Sequence, residues 1–467
     1  MTLIIVIILL ICYLLIATEN VTNINKAAVA MFACTLGWVL YICYGTDFVM
    51  SQHPNEYINF LAGANPTSVA VKEYISQNIF LKYVGKASEI VLFLLATMTI
   101  VEILNNNGCF DFISQLLKTR RSHKMLWIIA IITFLISANL DNLTTTVMML
   151  TIIHKILPSR RLRMVYGSAV VLAANCGGAL TVIGEPTGLV LWNNGAVTAT
   201  NFSMSLMLPC LAAWLIPTWW LGRSLPDFVE TEWIVMPYRG DDTNLNVWQR
   251  LVMLFVGIGG LWFIPSFHSI TKLSPFVGAL CVLSVLWIVN EIFNRKLMRV
   301  DAMIHRRIPL VLQYGILQMM LFVMGIMLTL GVVNETGALN TFSHWLDVNV
   351  HSIWIAGIVS GLISTVLDNF ATAASMFSLH HVLDISTISH SSDFDYAFNF
   401  IQNGIYWKVI AYTSAIGGNI LSIGSMSGLA LMKAERMHLG WYFRNVGWKA
   451  MVGGLVGLII MWLTHII

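Results

Sequence analysis

Three acidic residues, Asp141, Glu185 and Asp368, stand alone in long uncharged stretches of the sequence. Each is the only Asp, Glu, Lys or Arg in its stretch. The three stretches are residues 125–154, 164–222 and 351–383. A carboxylate near the centre of a bilayer costs at least about 2.5–3.5 kcal/mol on insertion scales, so it is a candidate functional residue by default.

The two aspartates lie in similar polar strings, S-A-N-L-D-N-L-T-T-T at 137–146 and S-T-V-L-D-N-F-A-T-A at 364–373. Uncharged side chains with oxygen atoms could complete a binding shell beside the acids. These are Asn139, Asn142, Thr145, Asn175, Asn369 and Thr372. Oxygen-rich anionic sites suit hard cations, and protons compete for the same carboxylates. A site of this kind, exposed alternately to each side of a membrane, is sufficient for exchange of a cation against protons.

A structural alternative is that Asp141 and Asp368 only cap the helices that follow them, because Asp is a favoured N-cap residue. Asn or Ser could cap a helix without placing a charge in the membrane. The presence of L-D-N in both strings therefore favours a role for the charge itself.

The composition excludes an ordinary soluble enzyme. Of 467 residues, 57% are hydrophobic and 10% are charged, whereas about 25% of a soluble domain is charged. A net charge of +3 and the lack of a basic tract with interleaved aromatic residues argue against a nucleic-acid partner. We therefore predict an all-α polytopic membrane protein.

Apolar runs that approach or exceed the roughly 20 residues of a membrane-spanning helix occur eight times. They lie near 2–17, 27–45, 88–104, 202–221, 247–264, 273–293, 309–333 and 443–465. The first run has no basic segment before it and no clear cleavage site, so we interpret it as a retained span rather than a signal peptide.

Two further regions each consist of two apolar arms joined by a polar string, and each arm is too short to cross the membrane. Residues 125–157 lie between two basic clusters, which the positive-inside rule assigns to the cytoplasmic side. Each arm reaches about 16–18 Å at 1.5 Å per residue, so the tip at Asp141 ends near the middle of the membrane. We predict a re-entrant hairpin here and a second one, opening outward, at 351–382. The alternative for the first region is two tilted full spans with the polar string outside.

The two halves of the chain are predicted to be copies. The hairpin strings at 136–146 and 363–373 agree at 6 of 11 positions with an offset of 227, and residues 177–189 and 417–429 agree at 6 of 13 with an offset of 240. Glycines recur at matching places in the second pair, which predicts two broken helices, at 164–192 and 403–432. Five crossings per copy place the second copy upside down. The predicted units are repeat 1 at 1–225, an inside linker at 226–246, and repeat 2 at 247–467.

Inverted repeats of this kind are typical of secondary transporters, whose binding site lies at the midplane between the repeats. The strings at 137–146 and 173–187, the latter A-A-N-C-G-G-A-L-T-V-I-G-E-P-T, resemble the signature region of NhaD-type sodium/proton antiporters. That family lies within the ion transporter superfamily, which includes arsenite and dicarboxylate carriers. The resemblance covers nearly the whole chain.

The resemblance implies extrusion of Na⁺ or Li⁺ in exchange for H⁺, a homodimer, and an elevator motion of a hairpin-bearing domain. It implies Na⁺ at Asp141, Asn142, Asp368 and Asn369. It implies an ion and proton site that also includes Asn175, Glu185, Thr187, Asn419 and Ser425. The family usually has Asp where this chain has Glu185, which affects the role of that residue and ion preference.

We expect a multi-pass protein of the bacterial inner membrane with small cations and lipid as its partners, no cofactor and no enzymatic activity. An arsenite or dicarboxylate carrier is the first alternative. Such a carrier would favour helix N-termini and uncharged side chains over Asp141 and Asp368. An intramembrane aspartyl protease is a distant alternative, because Asp368 lacks the usual G-x-G-D string and the duplication has no purpose in that mechanism.

Overall fold

Throughout the residues that the computed structural model describes, the secondary structure is helical, with only isolated bridges of extended backbone. The described residues are 2–22, 24–63, 65–117, 119–230, 245–294, 314–388 and 394–466. The beginning of the predicted run at 309–333 and most of the predicted linker at 226–246 lie outside them.

Eight stretches of the described residues are helical, apolar and long enough to cross a membrane. They are Lys26–Cys43, Ser68–Asn106, Ala199–Gly222, Val247–Thr271, Pro275–Phe293, Ile316–Glu335, Ile405–Glu435 and Leu439–Ile466. Seven coincide with predicted runs, and Ile405–Glu435 coincides with the second predicted broken helix. The first predicted run forms a shorter apolar helix, Thr2–Ala17. The chain is thus an all-helical, multi-span membrane protein, as predicted.

The main helices are numbered in chain order. They are α1 (Thr2–Ala17), α2 (Lys26–Cys43), α3 (Leu81–Asn106), α4 (Ser122–Ser137), α5 (Asn142–Ile156), α6 (Arg160–Leu180), α7 (Pro186–Asn193), α8 (Ala199–Gly222), α9 (Val247–Leu254), α10 (Gly260–Thr271), α11 (Pro275–Phe293), α12 (Tyr314–Glu335), α13 (Ala338–Asn349), α14 (Ile353–Ser364), α15 (Asn369–Phe377), α16 (Ile405–Leu421), α17 (Met426–Glu435) and α18 (Trp448–Ile466).

Short helical segments complete the described chain, among them three π-helical turns that continue into longer helices. The segments are Glu19–Thr22, Gly45–Gln52, Pro54–Leu61, Ser68–Tyr74, Ile75–Phe80, Phe112–Leu116, Phe255–Gly259, Ile385–Ile388, Phe394–Ala397, Phe398–Phe400, Leu439–Tyr442 and Phe443–Gly447.

Two pairs of short helices and two interrupted helices form one packed group. Residues 138–141 join α4 to α5, and residues 365–368 join α14 to α15. The helix α6–α7 is interrupted at 181–185, and α16–α17 is interrupted at 422–425. Helix α4 packs along α6, α14 packs along α16, and the two interrupted helices pack on each other. We call these eight helices the core group.

Equivalent contacts hold each helix pair to its interrupted helix. The Ser137 hydroxyl donates to the Ala174 carbonyl at 2.7 Å, and the Ser364 hydroxyl donates to the Ser414 carbonyl at 2.5 Å. These serines end the first helix of each pair, so both contacts lie next to the turns that carry the aspartates.

A second set of helices packs beside the core group. Helix α2 lies along α12 and α1, and α3 lies along α11 and α12. The indole of Trp38 in α2 donates to the Leu328 carbonyl of α12 at 3.1 Å. We call α1, α2, α3, α11 and α12 the flanking group. It meets the core group where α12 packs on α15.

Candidate functional site

Asp141 and Asp368 both cap the helix that follows them. Oδ2 of Asp141 accepts from the backbone N–H of Thr144 at 2.9 Å, and Oδ1 of Asp368 accepts from the backbone N–H of Phe370 at 3.0 Å. Both aspartates therefore have the capping role that the structural alternative assigns to them. Both side chains are buried, at 6% and 5% exposure. Capping needs only one oxygen of each carboxylate, which leaves the second oxygen of each for other interactions.

Glu185 connects the two helix pairs. It ends the interruption between α6 and α7, and its carboxyl group is buried. Its Oε1 atom accepts from the side-chain amide of Asn142 and, at 2.6 Å, from that of Asn369. Thr187 donates to Oε2 at 3.3 Å. The two residues that follow Asp141 and Asp368 therefore meet at a single carboxylate oxygen.

Asn175 connects the two interrupted helices at the same place. Its Oδ1 accepts from Asn142 at 3.2 Å, and its Nδ2 donates to Asn419 at 2.8 Å and to Ser425 at 3.0 Å. All four side chains are buried. The amide network therefore joins Asn142 and Asn175, in predicted repeat 1, to Asn419 and Ser425, in predicted repeat 2.

A glycine allows the second helix pair to approach so closely. The backbone N–H of Asn369 donates to the Gly424 carbonyl at 2.9 Å. A Cβ atom on Gly424 would lie 1.8 Å from the backbone oxygen of Ser364. Gly184 occupies the matching position in the first interruption, where a Cβ would lie 2.8 Å from the backbone oxygen of Ser137. Side chains at these two positions would push the tips out of the amide network.

Sequence reasoning missed Lys26. Its ammonium nitrogen lies 2.5 Å from Oδ2 of Asp368, with the two side chains exposed by only 12% and 5%. It also lies 4.5 Å from the centre of the Phe322 ring. A single lysine just before a span reads as an interfacial residue, and 342 positions separate it from Asp368. No spacing in the sequence could have indicated this pair.

The two aspartates differ in their remaining contacts. Among the described residues, Oδ1 of Asp141 and the hydroxyl of Thr145, one helical turn later, are buried and make no hydrogen bond. In the second tip, Asp368 has Lys26, and the Thr372 hydroxyl donates to the Asp368 backbone carbonyl at 3.1 Å. The first tip thus holds two free oxygen ligands that the second does not.

Asn139 has hydrogen bonds that lead away from the amide network. Its Nδ2 donates to the Leu135 carbonyl at 2.8 Å, and its Oδ1 accepts from the indole of Trp262 in α10.

Across the described parts of the chain, no three His, Cys, Asp or Glu side chains are close enough to hold a metal ion together. Any cation here would need amide, hydroxyl or backbone oxygens besides a carboxylate.

Comparison with known proteins gives the family. The profile of the family described as citrate transporter, CitMHS, matches residues 4–389. Sodium/proton antiporter 2 of Arabidopsis thaliana is 29% identical over 82% of this chain and 86% of its own length. Na(+)/H(+) antiporter NhaD of Vibrio cholerae is 25% identical over 98% of this chain and 90% of its own.

A further relative is longer than the matched region. Sodium/proton antiporter 1 of Arabidopsis thaliana is 30% identical over 82% of this chain, and the match spans 62% of its own length. The family profile covers most of the present chain, including both aspartates and Glu185. The chain therefore belongs to the citrate transporter family, a family of membrane transporters rather than enzymes.

Proposed function

We propose that this protein exchanges Na⁺ or Li⁺ for H⁺ at a site built from Asp141, Glu185 and Asp368. The observation that carries the proposal is the shared Oε1 atom of Glu185, which binds the tip amides of both helix pairs. Glu185 is thereby bound to the residue that follows each aspartate, and buried acids of this kind bind either protons or a hard cation. The relatives named as sodium/proton antiporters support the same chemistry.

The first tip is the proposed place for the cation. Oδ1 of Asp141 and the Thr145 hydroxyl are buried oxygens without hydrogen bonds among the described residues. Buried polar atoms in native proteins are nearly always satisfied, and we propose that a cation is the partner of these two oxygens. Oxygen atoms of this kind are the ligands that hard cations prefer. Asn142 and Asn369 extend the proposed Na⁺ shell towards Asp368.

The finer architecture is also a proposal. We propose re-entrant hairpins at 125–157 and 351–382 in inverted repeats at 1–225 and 247–467, joined by an inside linker at 226–246. The serine contacts support duplication, because Ser137 and Ser364 differ by the offset of the hairpin strings and their carbonyl partners by the offset of the broken helices. An elevator motion, a homodimer and a location in the bacterial inner membrane complete the proposal.

The family description favours a second candidate, a carrier of citrate or a similar organic anion. Two features weigh against it. Among the described residues, the proposed site brings three acids together with one base, Lys26, so a polyvalent anion would be repelled by like charge. The N-termini of α5 and α15, which could bind a substrate carboxylate, are already capped by Asp141 and Asp368. An intramembrane protease gains no support from membership of a transporter family.

Transport in proteoliposomes tests the proposal. Vesicles with an acidic interior and a trapped pH dye would receive NaCl, LiCl, KCl, citrate, succinate or arsenite outside. We expect the interior to become alkaline with NaCl or LiCl, because outward movement of protons accompanies uptake of the cation. A response to citrate, succinate or arsenite alone would replace the cation proposal by the anion carrier.

A further inference from the structure

We propose that Lys26 is a built-in counter-ion that competes with the transported cation for Asp368. The inference rests on the proposed function and adds a residue that neither the sequence motifs nor the names of the relatives assign. In the cation-free protein the lysine ammonium neutralises Asp368, and a cation that binds this carboxylate must displace it.

Within the described part of the chain, the geometry makes Lys26 a partner of the Asp368 carboxylate alone. Its Nζ lies 2.5 Å from Oδ2 of Asp368, the oxygen that does not cap α15. That oxygen is the one a cation would use, because Oδ1 is held by the backbone of Phe370 at 3.0 Å. Lysine and cation therefore require the same atom.

The surroundings of Lys26 offer a second position for its ammonium group. The Phe322 ring lies 4.5 Å from its ammonium nitrogen, and an aromatic face attracts a cation. A lysine side chain is a flexible stem with a single charged end, so it can leave Asp368 and remain over the ring. Displacement by Na⁺ therefore need not expel a bare charge into an apolar region.

Lys26 also belongs to a different helix group from Asp368. It begins α2, which packs on α1 and α12 in the flanking group, whereas Asp368 lies in the core group. The ion pair is thus a bond between the two groups. Occupation of Asp368 by a cation would release that bond, which links ion binding to the freedom of the core group to move.

The matching carboxylate, Asp141, has no basic partner in the part of the chain that the structure describes. Oδ1 of Asp141 makes no hydrogen bond among the described residues, and the base pairs with Asp368 instead. The two copies of the L-D-N motif are therefore unequal. A cation can reach Asp141 without displacing another charge, while access to Asp368 is regulated by Lys26.

A binding experiment separates competition from simple structural support. A cation that binds the folded protein stabilises it by RT ln(1 + c/Kd), where c is the Na⁺ concentration, so melting temperatures over a NaCl series give a fitted Kd, which is the half-saturating concentration. We expect Lys26→Met to lower that concentration about tenfold, which corresponds to about 1.4 kcal/mol. Lys26→Arg keeps the positive charge and is expected to remain within about threefold of wild type.

Two further variants keep the test valid if Lys26→Met does not fold, since loss of one partner of a buried pair is destabilising. Lys26→Gln introduces an amide that can still donate to Oδ2 of Asp368 without a charge, so it should also lower the half-saturating Na⁺ concentration. In the Asp368→Asn background the contested carboxylate is absent, so adding Lys26→Met should change that concentration far less than it does in the wild-type background. An unchanged concentration in Lys26→Gln, or an equally large effect of Lys26→Met in both backgrounds, would overturn the proposal.

Tyr13→Phe is the matched control. The Tyr13 hydroxyl of α1 contacts the Ser375 hydroxyl of α15 at 2.5 Å, so it joins the same two helix groups without touching a carboxylate. We expect an unchanged half-saturating Na⁺ concentration. If Tyr13→Phe changes it as much as Lys26→Met does, loosening of the interface explains the effect and the counter-ion proposal is wrong. A wild-type protein without any Na⁺ response would overturn the proposed function itself.

Discussion

At the scale of single residues, the two aspartates of the repeated motif show how much depends on their neighbours. Asp141 and Asp368 are both buried N-caps that precede an asparagine bound to Glu185. Among the described residues, Asp368 has a basic partner, Lys26, and Asp141 has none. Identical motifs therefore have different electrostatic surroundings, and substitutions at the two positions should have different consequences for cation binding.

Asp141→Asn should abolish exchange while the protein remains folded. The amide oxygen of Asn can still accept from the Thr144 backbone, so the helix cap is kept. An amide can neither release a proton nor offer an anionic ligand, and we expect at least a tenfold loss of exchange rate, equivalent to about 1.4 kcal/mol or more. The measurement is Na⁺-dependent proton efflux from proteoliposomes. Asp47→Asn, at an exposed acid in a short helix, serves as the control. Wild-type exchange by Asp141→Asn would remove this carboxylate from the site.

Glu185→Asp should keep exchange but weaken cation binding. Asp is the residue that the resembled antiporter family usually has here, so the charge is preserved. A side chain shorter by one methylene cannot keep both amide contacts, from Asn142 and Asn369. We expect the half-saturating Na⁺ concentration to rise about tenfold or more, because a hydrogen bond to a charged group contributes about 1.5–3 kcal/mol. Initial rates over a series of Na⁺ and Li⁺ concentrations measure this. Unchanged values for both ions would show that the two amide contacts do not set affinity.

The acids and most of the polar neighbours that the sequence predicts as a site are buried in the same part of the structure. A lone carboxylate in an apolar stretch has few explanations, and Asn142, Asn175 and Asn369 lie close to such acids or to the helix breaks. Lys26 could not be found in this way, because its partner is distant in sequence. Asn139 looked equivalent to its neighbours, yet its amide binds Leu135 and Trp262. The direction of a side chain on a turn depends on tertiary packing.

At the scale of helices, close backbone contact explains where glycine is needed. Gly177 and Gly417 occupy matching positions in α6 and α16, and Cβ atoms there would lie 2.4 Å and 2.3 Å from backbone oxygens of α4 and α14. At these two positions, the interrupted helices therefore lie directly against the backbones of α4 and α14. The positions of the glycines and polar strings are visible in the sequence. The backbone contacts that the glycines allow are not, because they join segments that are distant along the chain.

Gly424→Ala should destabilise the protein and lower transport together. The added Cβ would lie 1.8 Å from the Ser364 backbone oxygen, and backbone atoms cannot move aside cheaply. Overpacking of this kind costs about 1–3 kcal/mol or more. The melting temperature of the purified protein measures the loss. Gly85→Ala, on the long helix α3 with nothing within 4 Å of the added atom, should leave it unchanged or slightly raised. Equal melting temperatures for Gly424→Ala and wild type would contradict the close approach.

At the scale of the whole molecule, the proposed inversion places the open ends of the two helix pairs on opposite sides of the membrane. Lys155 is an exposed residue at the end of α5, and Ile385, at 64% exposure, follows the second pair. These two positions lie close to the predicted mouths of the hairpins. Their accessibility from each side reports directly on orientation.

Cysteine labelling tests this arrangement in vesicles. In a variant without the seven native cysteines, we expect Lys155→Cys to react with a membrane-impermeant maleimide in inverted vesicles, because its flanking basic residues are assigned to the cytoplasm. Ile385→Cys should react in right-side-out vesicles. Each variant is its own control in the opposite preparation. Labelling of both positions from the same side would exclude the inverted repeat.

The bare main-chain contacts at Gly184 and Gly424 have a mechanical consequence. At each of these glycines, the backbone of the interrupted helix lies directly against the backbone at the end of α4 or α14. Because close-packed backbone atoms cannot move through one another, we expect that neither turn can rotate outward by itself. The turns that carry Asp141 and Asp368 should therefore be poor gates. In the proposed elevator motion, the acids would change the side from which water reaches them when the surrounding helices move as one rigid body relative to α1, α2 and α12.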